Sequence, residues 1–119
     1  MKKLNETENI IKKSRFIGIS YKIESDIEAK AIIEQLKKEH KKARHIAYCY
    51  KIDNIIKKTD DKEPANTAGT PIYNIIEKRN LNKILIVVIR YYGGIKLGAG
   101  GLIRAYGTTA NDLTKTSLE

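Results

Sequence analysis

The segment from Arg90 to Arg104 combines glycines with basic side chains in a way that suits the binding of an anion. Glycines let backbone amides approach a ligand closely, and a helix that begins after them presents unpaired N–H groups at its positive end. A phosphate is the natural ligand for such a site. The candidate residues for binding phosphate or nucleic acid are Arg90, Gly93, Gly94, Lys96, Gly98, Gly100, Gly101 and Arg104. The structural alternative is a tight turn between a strand and a closely packed helix.

The established nucleotide-binding motifs are not matched by this segment. Gly93 and Gly98 frame a gap of four residues, as in a Walker A loop, but Ala99 stands where that motif needs lysine. Gly98 and Gly100 fit the first two positions of the dinucleotide fingerprint, but Ile103 occupies the third. The pattern therefore predicts no nucleotide cofactor, and we predict no other cofactor either.

A second polar segment carries three carboxylates within four residues, at Asp60, Asp61 and Glu63. These oxygens could hold a hard cation such as Mg²⁺, pair with the basic side chains of Lys96 or Arg104, or remain solvated. We favour pairing or solvation, and we predict no metal site. The backbone amides just before the next helix form a second possible anion nest.

The sequence shows no convincing set of catalytic residues. His45 lies near the start of a predicted strand, and no partner that would make it a general base can be named. Cys49 lies in the middle of the same strand, which favours a buried, inert thiol. His40 and His45 fall on different elements and do not form a metal-binding pair. We predict no catalytic residue, and the sequence favours a protein that is not an enzyme.

Several tyrosines alternate with basic residues and offer a way to contact bases. Exposed tyrosines beside Arg or Lys can stack on single-stranded nucleic acid, although tyrosines in a sheet more often pack in the core or at an edge. The tyrosines in question are Tyr48, Tyr50, Tyr91 and Tyr92.

The hydrophobic pattern indicates the elements that must position these residues. Residues 83–90 are apolar on both faces, which suits a strand that is covered on both sides. Residues 54–66 are polar and contain Pro64, so they are predicted to be a loop. The pattern predicts strands at 15–23, 44–53 and 83–90, and helices that begin at the Ser25–Glu28 capping box, at Thr70-Pro71 and near Gly100. The class is α+β, a small sheet with helices packed on it.

Composition and length restrict the possible functions. The chain has 119 residues, which suits one domain, and 41% of them are hydrophobic, which is enough for a core. The formal net charge is +9, so the surface attracts polyanions such as RNA, unless the scattered lysines only maintain solubility. A single cysteine excludes an internal disulfide, and the sequence predicts neither a signal peptide nor a stretch that could span a membrane. We predict a cytoplasmic protein.

Four stretches of the chain resemble the IMPACT/YigZ family. The most specific is the run from Arg90 to Tyr106, RYYGGIKLGAGGLIRAY. The resemblance extends over about residues 13–110. The other stretches are Lys13-Ser-Arg-Phe-Ile17, Lys42-Ala-Arg-His45 with Ala47-Tyr48, and Asp60-Asp61-x-Glu63-Pro64 followed by Thr67-Ala68-Gly69.

The resemblance implies a fold like the second domain of small-subunit ribosomal protein five. Residues 13–115 would form the family's N-terminal-type domain, and residues 1–12 would be a flexible arm or an edge strand. The family's second, ferredoxin-like domain is expected to be absent. The resemblance suggests accessory site residues, namely Arg15, His45, Asp60, Asp61, Glu63, Thr67 and Tyr91.

The resemblance also implies a role near translation. Eukaryotic members regulate an amino-acid-starvation kinase pathway through a partner protein, and bacterial members are suspected of binding nucleic acid or the ribosome. The acidic loop departs from the family pattern, because Lys62 replaces a glycine and Ala65-Asn66 replaces Ser-Gly. A ligand contact through those replaced residues is therefore in doubt.

Three functions are compatible with these observations. The first is a non-catalytic regulator of translation that binds RNA or the ribosome, and the second is a protein-interaction domain in a translation or stress-response pathway. The third is an enzyme acting on a phosphorylated small molecule, which rests on fold analogy alone. The sequence favours them in the order first, second, third, and leaves the oligomeric state open.

Overall fold

The computed structural model describes residues 2–115, which form five strands and three helices. The elements in chain order are β1 (Lys2–Ile11), β2 (Ser14–Lys22), α1 (Asp26–Glu39), β3 (His45–Ile52), β4 (Ile55–Thr59), α2 (Gly69–Lys78), β5 (Ile84–Tyr91) and α3 (Gly98–Asp112). The predicted α+β class is confirmed. No helix of the described part is long and apolar enough to cross a membrane.

The five strands form one antiparallel sheet in the order β1-β2-β5-β3-β4. The central strand β5 is buried from Ile84 to Arg90 and contributes alternate side chains to two hydrophobic cores. Helix α1 covers one face of the sheet, and α2 and α3 cover the other. The prediction that this strand is covered on both faces is confirmed.

Helix α1 begins close to the predicted position. The hydroxyl of Ser25 accepts a hydrogen bond from the amide of Glu28 at 3.1 Å, as a capping box requires. The carboxylate of Glu28 accepts from the amide of Glu24 at 2.8 Å rather than from that of Ser25, so half of the predicted box is shifted by one residue. The helix buries an apolar face of Ala29, Ile32, Ile33 and Leu36.

The sheet has two edge strands that the sequence pattern did not clearly indicate. Residues 2–11 form the ten-residue strand β1, which pairs with β2. The prediction of a loop over 54–66 is wrong at its start, because Ile55–Thr59 form β4 and pair with β3. The side chains of β4 are mostly exposed, so the strand has neither the apolar run nor the alternation that marks a strand in sequence.

Helices α2 and α3 both begin slightly earlier than predicted. Thr70 is not the N-cap of α2, because the helix begins at Gly69 and Ala68 occupies the capping position. Helix α3 begins at Gly98 rather than near Gly100. The spacing of Leu102, Tyr106, Thr109 and Leu113 predicts one apolar helix face, and this prediction is confirmed, since all four residues are in the interior.

Candidate functional site: a basic cleft at the start of helix α3

An open cleft of about 590 Å³ lies where β3 and β5 meet the acidic loop and the first turn of α3. Antiparallel pairing places the start of β3 beside the end of β5, with His45 opposite Arg90. The backbone amide of Arg44 donates to the carbonyl of Arg90 at 2.8 Å, which holds Arg44 at this end of the sheet. The lining residues are Arg44, His45, Lys62, Glu63, Pro64, Arg90, Tyr92, Lys96, Leu97, Gly98, Ala99 and Leu102.

The floor of the cleft is a buried polar network centred on Glu63. Its carboxylate, 2% exposed, accepts hydrogen bonds from Nη1 of Arg90 at 2.8 and 3.0 Å and from the hydroxyl of Tyr106 at 2.5 Å. Burial, together with the adjacent Glu63 carboxylate, raises the pKa of Tyr106 well above its usual range, so this hydroxyl remains a donor. A buried carboxylate is costly unless it is paired and hydrogen-bonded, and this one is both.

His45 is oriented by the same network. The carbonyl oxygen of Asp61 lies 2.7 Å from Nδ1 of His45, and because a carbonyl can only accept, Nδ1 carries the proton. The other ring nitrogen, Nε2, lies 3.5 Å from a carboxylate oxygen of Glu63. Both ring nitrogens of His45 therefore face groups of the acidic loop.

Arg90 retains hydrogen-bonding capacity that the protein does not use. Only Nη1 contacts Glu63, and the buried Nε has no hydrogen-bond partner within residues 2–115. The guanidinium lies between aromatic rings, 5.4 Å from the centroid of Tyr92 and 5.6 Å from that of Phe16. On the outer side of the cleft, the guanidinium of Arg44 lies 4.6 Å from the Tyr92 centroid.

Helix α3 points its exposed first turn at the cleft without a capping side chain. Leu97 occupies the N-cap position, no side chain caps the helix, and the first turn contains no acidic residue. Gly98, Ala99 and Gly100 are all exposed. The free amides at a helix N-terminus carry partial positive charge, which favours an anion.

The rim of the cleft adds exposed positive charge. The side chains of Arg44, Lys62 and Lys96 belong to exposed residues, and Arg90 adds a buried cation. Of the residues that line the cleft in the described chain, Glu63 alone is acidic, and Arg90 already neutralises it. The cleft therefore has a net positive charge.

The glycines of the predicted anion-binding segment do different things. A side chain at Gly93 would collide with the carbonyl of Lys13, since an added Cβ would lie 2.1 Å from it, and the Gly93 amide already donates to the hydroxyl of Ser14. Gly94 and Gly98 have φ of +92° and +75°, a conformation that favours glycine. Gly93 and Gly94 therefore form the turn, and the glycines from Gly98 onward belong to the exposed helix start.

The acidic loop is held by internal contacts. The carboxylate of Asp60 accepts from the amides of Asn66, Ala68 and Gly69 at 2.8–3.1 Å, so it fills the nest predicted as a second anion site. Burial raises the pKa of Asp60, but these amides and the nearby Lys58 outweigh burial and lower the pKa overall. The Asp60 side chain thus caps the N-terminus of α2.

The remaining acidic side chains also have internal partners. Asp61 accepts from the amide of Ile46 at 2.6 Å, and Glu63 pairs with Arg90. Pairing of the acidic loop with Lys96 or Arg104, the alternative raised above, is not found among the described residues. No group of three or more His, Cys, Asp or Glu side chains within residues 2–115 is arranged to hold a metal ion.

The model of the Impact N-terminal domain matches residues 12–114 of the chain. That match covers nearly the whole sequence. The chain belongs to the IMPACT family.

Relatives and solved structures agree with this membership. The chain is 45% identical to the IMPACT family member YvyE of Bacillus subtilis, over 94% of this chain and 53% of the relative. It is 42% identical to the IMPACT family member YigZ of Escherichia coli, over 85% of this chain and 52% of the relative. The chain therefore spans about half the length of the curated relatives it matches.

Two solved structures share the fold. The crystal structure of a hypothetical protein superposes with a TM-score of 0.91 at 36% identity, covering 97% of this chain and 58% of that one. The two-domain translational regulator Yih1 superposes with a TM-score of 0.57 at 21% identity, covering 95% of this chain and 45% of that one. At that identity the second match shows the fold alone.

The IMPACT signature residues do not all meet in the cleft. Arg104 lines a separate groove on the other side of α3. Arg15 and Tyr91 contact each other near the end of α1, where the Tyr91 hydroxyl lies 2.6 Å from Nδ1 of His40. Thr67 is buried, and its hydroxyl donates to the carbonyl of Pro64. The structure brings together Arg90, Lys96, Gly98, His45 and Glu63.

Four residues of the site were not singled out as site residues from the sequence. The sequence placed Tyr106 only on the buried face of α3. A buried tyrosine hydroxyl needs a hydrogen-bond partner, and this need could have linked Tyr106 to the polar network. Tyr92 was considered only as one of several stacking tyrosines, and Arg44 and Lys62 only as parts of family stretches. Arg44 precedes His45 in the sequence, and Lys62 precedes Glu63. Both residues therefore line the same cleft as the neighbours that the sequence did indicate.

Cys49 has the environment that was predicted. The thiol is buried, and burial raises its pKa to about 12. A thiol held in the protonated form at neutral pH is a poor nucleophile.

Proposed function

We propose that this IMPACT-family domain binds RNA through the basic cleft, as a non-catalytic component of translation or its regulation. The observation that carries the proposal is the convergence of an uncapped helix N-terminus with Arg44, Lys62 and Lys96 around the partly unpaired Arg90. Phosphate oxygens match this set of donors in both charge and hydrogen-bonding capacity. A phosphate in the cleft would supply acceptors that the protein does not.

The charge of the whole molecule supports a polyanionic ligand. A formal net charge of +9 favours association with RNA at long range. The resemblance to the IMPACT family implies a role near translation, and the structural neighbour Yih1 is named as a translational regulator. These relationships support translation as the setting.

The arrangement at the cleft floor argues for binding rather than catalysis. The Glu63 carboxylate is occupied by Arg90 and Tyr106, and His45 is held by the Asp61 carbonyl. The carboxylate of Glu63 is thus committed to two donors, and Nε2 of His45, the ring nitrogen left without a proton, faces that carboxylate at 3.5 Å. The network instead fixes the positions of the residues that face the ligand.

The test is RNA binding across a series of salt concentrations. Lys62→Glu/Lys96→Glu reverses two charges at the cleft, and Lys37→Glu/Lys38→Glu makes the same change on α1. The cleft variant should lose about 100-fold in affinity at low salt, and its log–log salt slope should fall by about 1.4. The α1 variant should lose far less. Equal losses would mean that binding follows diffuse charge and would refute the cleft as the site.

A protein partner is the second candidate, and the edge strand β4 is the observation that favours it. Ile55 and Ile56 are 49% and 40% exposed, and one side of the strand has no neighbour in the sheet. Such an edge can pair with an extended segment of another protein. If labelled RNA fails to bind at any salt concentration, this candidate becomes the stronger one.

A further inference from the structure

We propose that the RNA is single-stranded and crosses the N-terminus of α3, so that its phosphates lie in two grooves rather than in the cleft alone. This inference rests on the proposed RNA binding and specifies the form of RNA that is bound. Its basis is a second basic groove on the far side of the same helix end.

The second groove measures about 160 Å³ and lies between α3 and the tip of the β1–β2 hairpin. Its cations are Lys12 and Arg104, and its described lining contains no acidic residue. Leu97 lines both the groove and the cleft, so the two are separated only by the start of α3. An RNA strand that leaves the cleft would therefore enter the groove by crossing the N-terminus of α3. The lining of the second groove is Ile11, Lys12, Leu97, Gly101, Arg104, Ala105 and Thr108.

Arg104 reaches back over the first turn of α3. Its Nη1 lies 3.5 Å from the position that a Cβ on Gly100 would occupy. The guanidinium therefore lies beside the exposed helix start, in the groove, whereas Lys96 lines the cleft. Each depression thus contributes positive charge next to the start of α3.

Lys12 and Lys13 form an unfavourable turn that nonetheless places the side chain of Lys12 at this groove. They are the two residues between the paired Ile11 and Ser14, and both have positive φ, 48° and 67°. Two-residue turns with this backbone favour Asn-Gly, and each non-glycine residue in it costs about 1 kcal/mol.

A separate observation, the unpaired Nε of Arg90, also indicates a ligand in the cleft, where the proposed path begins. Its side chain is 6% exposed, it lines the cleft, and its Nε lacks a partner within the described chain. A buried donor without an acceptor is costly. Because Arg90 lines the cleft, a phosphate that reached its guanidinium from there would supply the missing acceptor, which the helix terminus alone would not indicate.

The shape and lining of the path favour a single strand over a duplex. The path bends around a helix end, and its lining includes the apolar side chains of Leu97 and Leu102. Tyr92 adds an aromatic ring beside Arg44. Single-strand sites combine a basic groove with aromatic surfaces that bases can stack on, whereas a stiff duplex cannot follow such a bend.

The test compares binding of a uridine dinucleotide and of an oligouridine of about eight residues. Lys12→Asn/Arg104→Gln neutralises the groove and introduces a residue that suits the strained turn. Lys62→Gln/Lys96→Gln neutralises the cleft, and Lys37→Gln/Lys38→Gln is the matched control on α1. Urea unfolding of each variant checks that the fold is intact.

The groove variant should bind the longer oligomer about tenfold more weakly, with a salt slope reduced by about 1.4, and bind the dinucleotide as the wild type does. The cleft variant should weaken both. If the groove variant binds the longer oligomer like the wild type while the cleft variant does not, the path is overturned and cleft binding stands. If the wild type binds duplex RNA as tightly as the single strand, the preference for a single strand is overturned. If the wild type binds no RNA, the proposed function fails with it.

Discussion

Replacing Glu63 with alanine is expected to destabilise the domain by about 3–5 kcal/mol, the range found when one partner of a buried ion pair is removed. The side chains of Arg90 and Glu63 are 6% and 2% exposed. Without the carboxylate, the Arg90 guanidinium remains buried with no counter-charge, and the hydroxyl of Tyr106 loses its acceptor. The loss is a large fraction of the stability of a domain of this size.

Urea unfolding followed by circular dichroism measures this loss. Glu77→Ala is the matched control, because Glu77 pairs with Lys51 at 3.1 Å but is 43% exposed, and its removal should cost about 1 kcal/mol or less. The double variant Glu63→Ala/Arg90→Met should recover much of the loss, since it leaves no unpaired charge. A Glu63→Ala loss no greater than that of Glu77→Ala would show that the buried network does not support the cleft.

Gly93→Ala is expected to destabilise the domain by about 1–3 kcal/mol, as overpacking against backbone does. The added Cβ would lie 2.1 Å from the carbonyl of Lys13, and backbone cannot move aside as a flexible side chain can. The turn would have to separate from the β1–β2 hairpin, and the Gly93 amide would lose its bond to Ser14.

Gly100→Ala provides the contrast in the same segment. An added Cβ there meets only Nη1 of Arg104 at 3.5 Å, the end of a flexible side chain. Because alanine favours the helix, this variant should match the wild type or exceed it by up to about 1 kcal/mol. Thermal unfolding measures the stability of both variants relative to the wild type. Equal destabilisation by the two substitutions would contradict a division between a structural turn and an open helix start.

The hydrophobic pattern was sufficient for the interior of the fold but not for its edges. Strand β5 and the buried face of α3 were predicted because burial on both faces, or on one helical face, leaves a periodic apolar pattern. Strand β4 leaves none, because its five residues are mostly exposed and its pairing with β3 depends on the backbone. The likeness to the second domain of small-subunit ribosomal protein five remains a prediction.

The candidate site shows a similar limit. Glycine and basic residues in one segment indicated an anion site, but spacing along the chain cannot show that Arg104 lies on the opposite side of α3 from Lys96. The partner of Glu63 was also misjudged. Arg90 reaches it from β5, a contact between residues 27 positions apart that depends on the packing of the acidic loop.

The most direct test of RNA binding at the cleft is to add short oligouridine to ¹⁵N-labelled protein and follow the backbone amide resonances. Binding at the cleft predicts saturable shifts for Gly98, Ala99 and Gly100 together with Arg44 and Lys62. The amides of α1 should move little, since that helix lies on the other face of the sheet. Shifts confined to α1 or β4, or spread evenly over the basic surface, would contradict the cleft as the RNA-binding site.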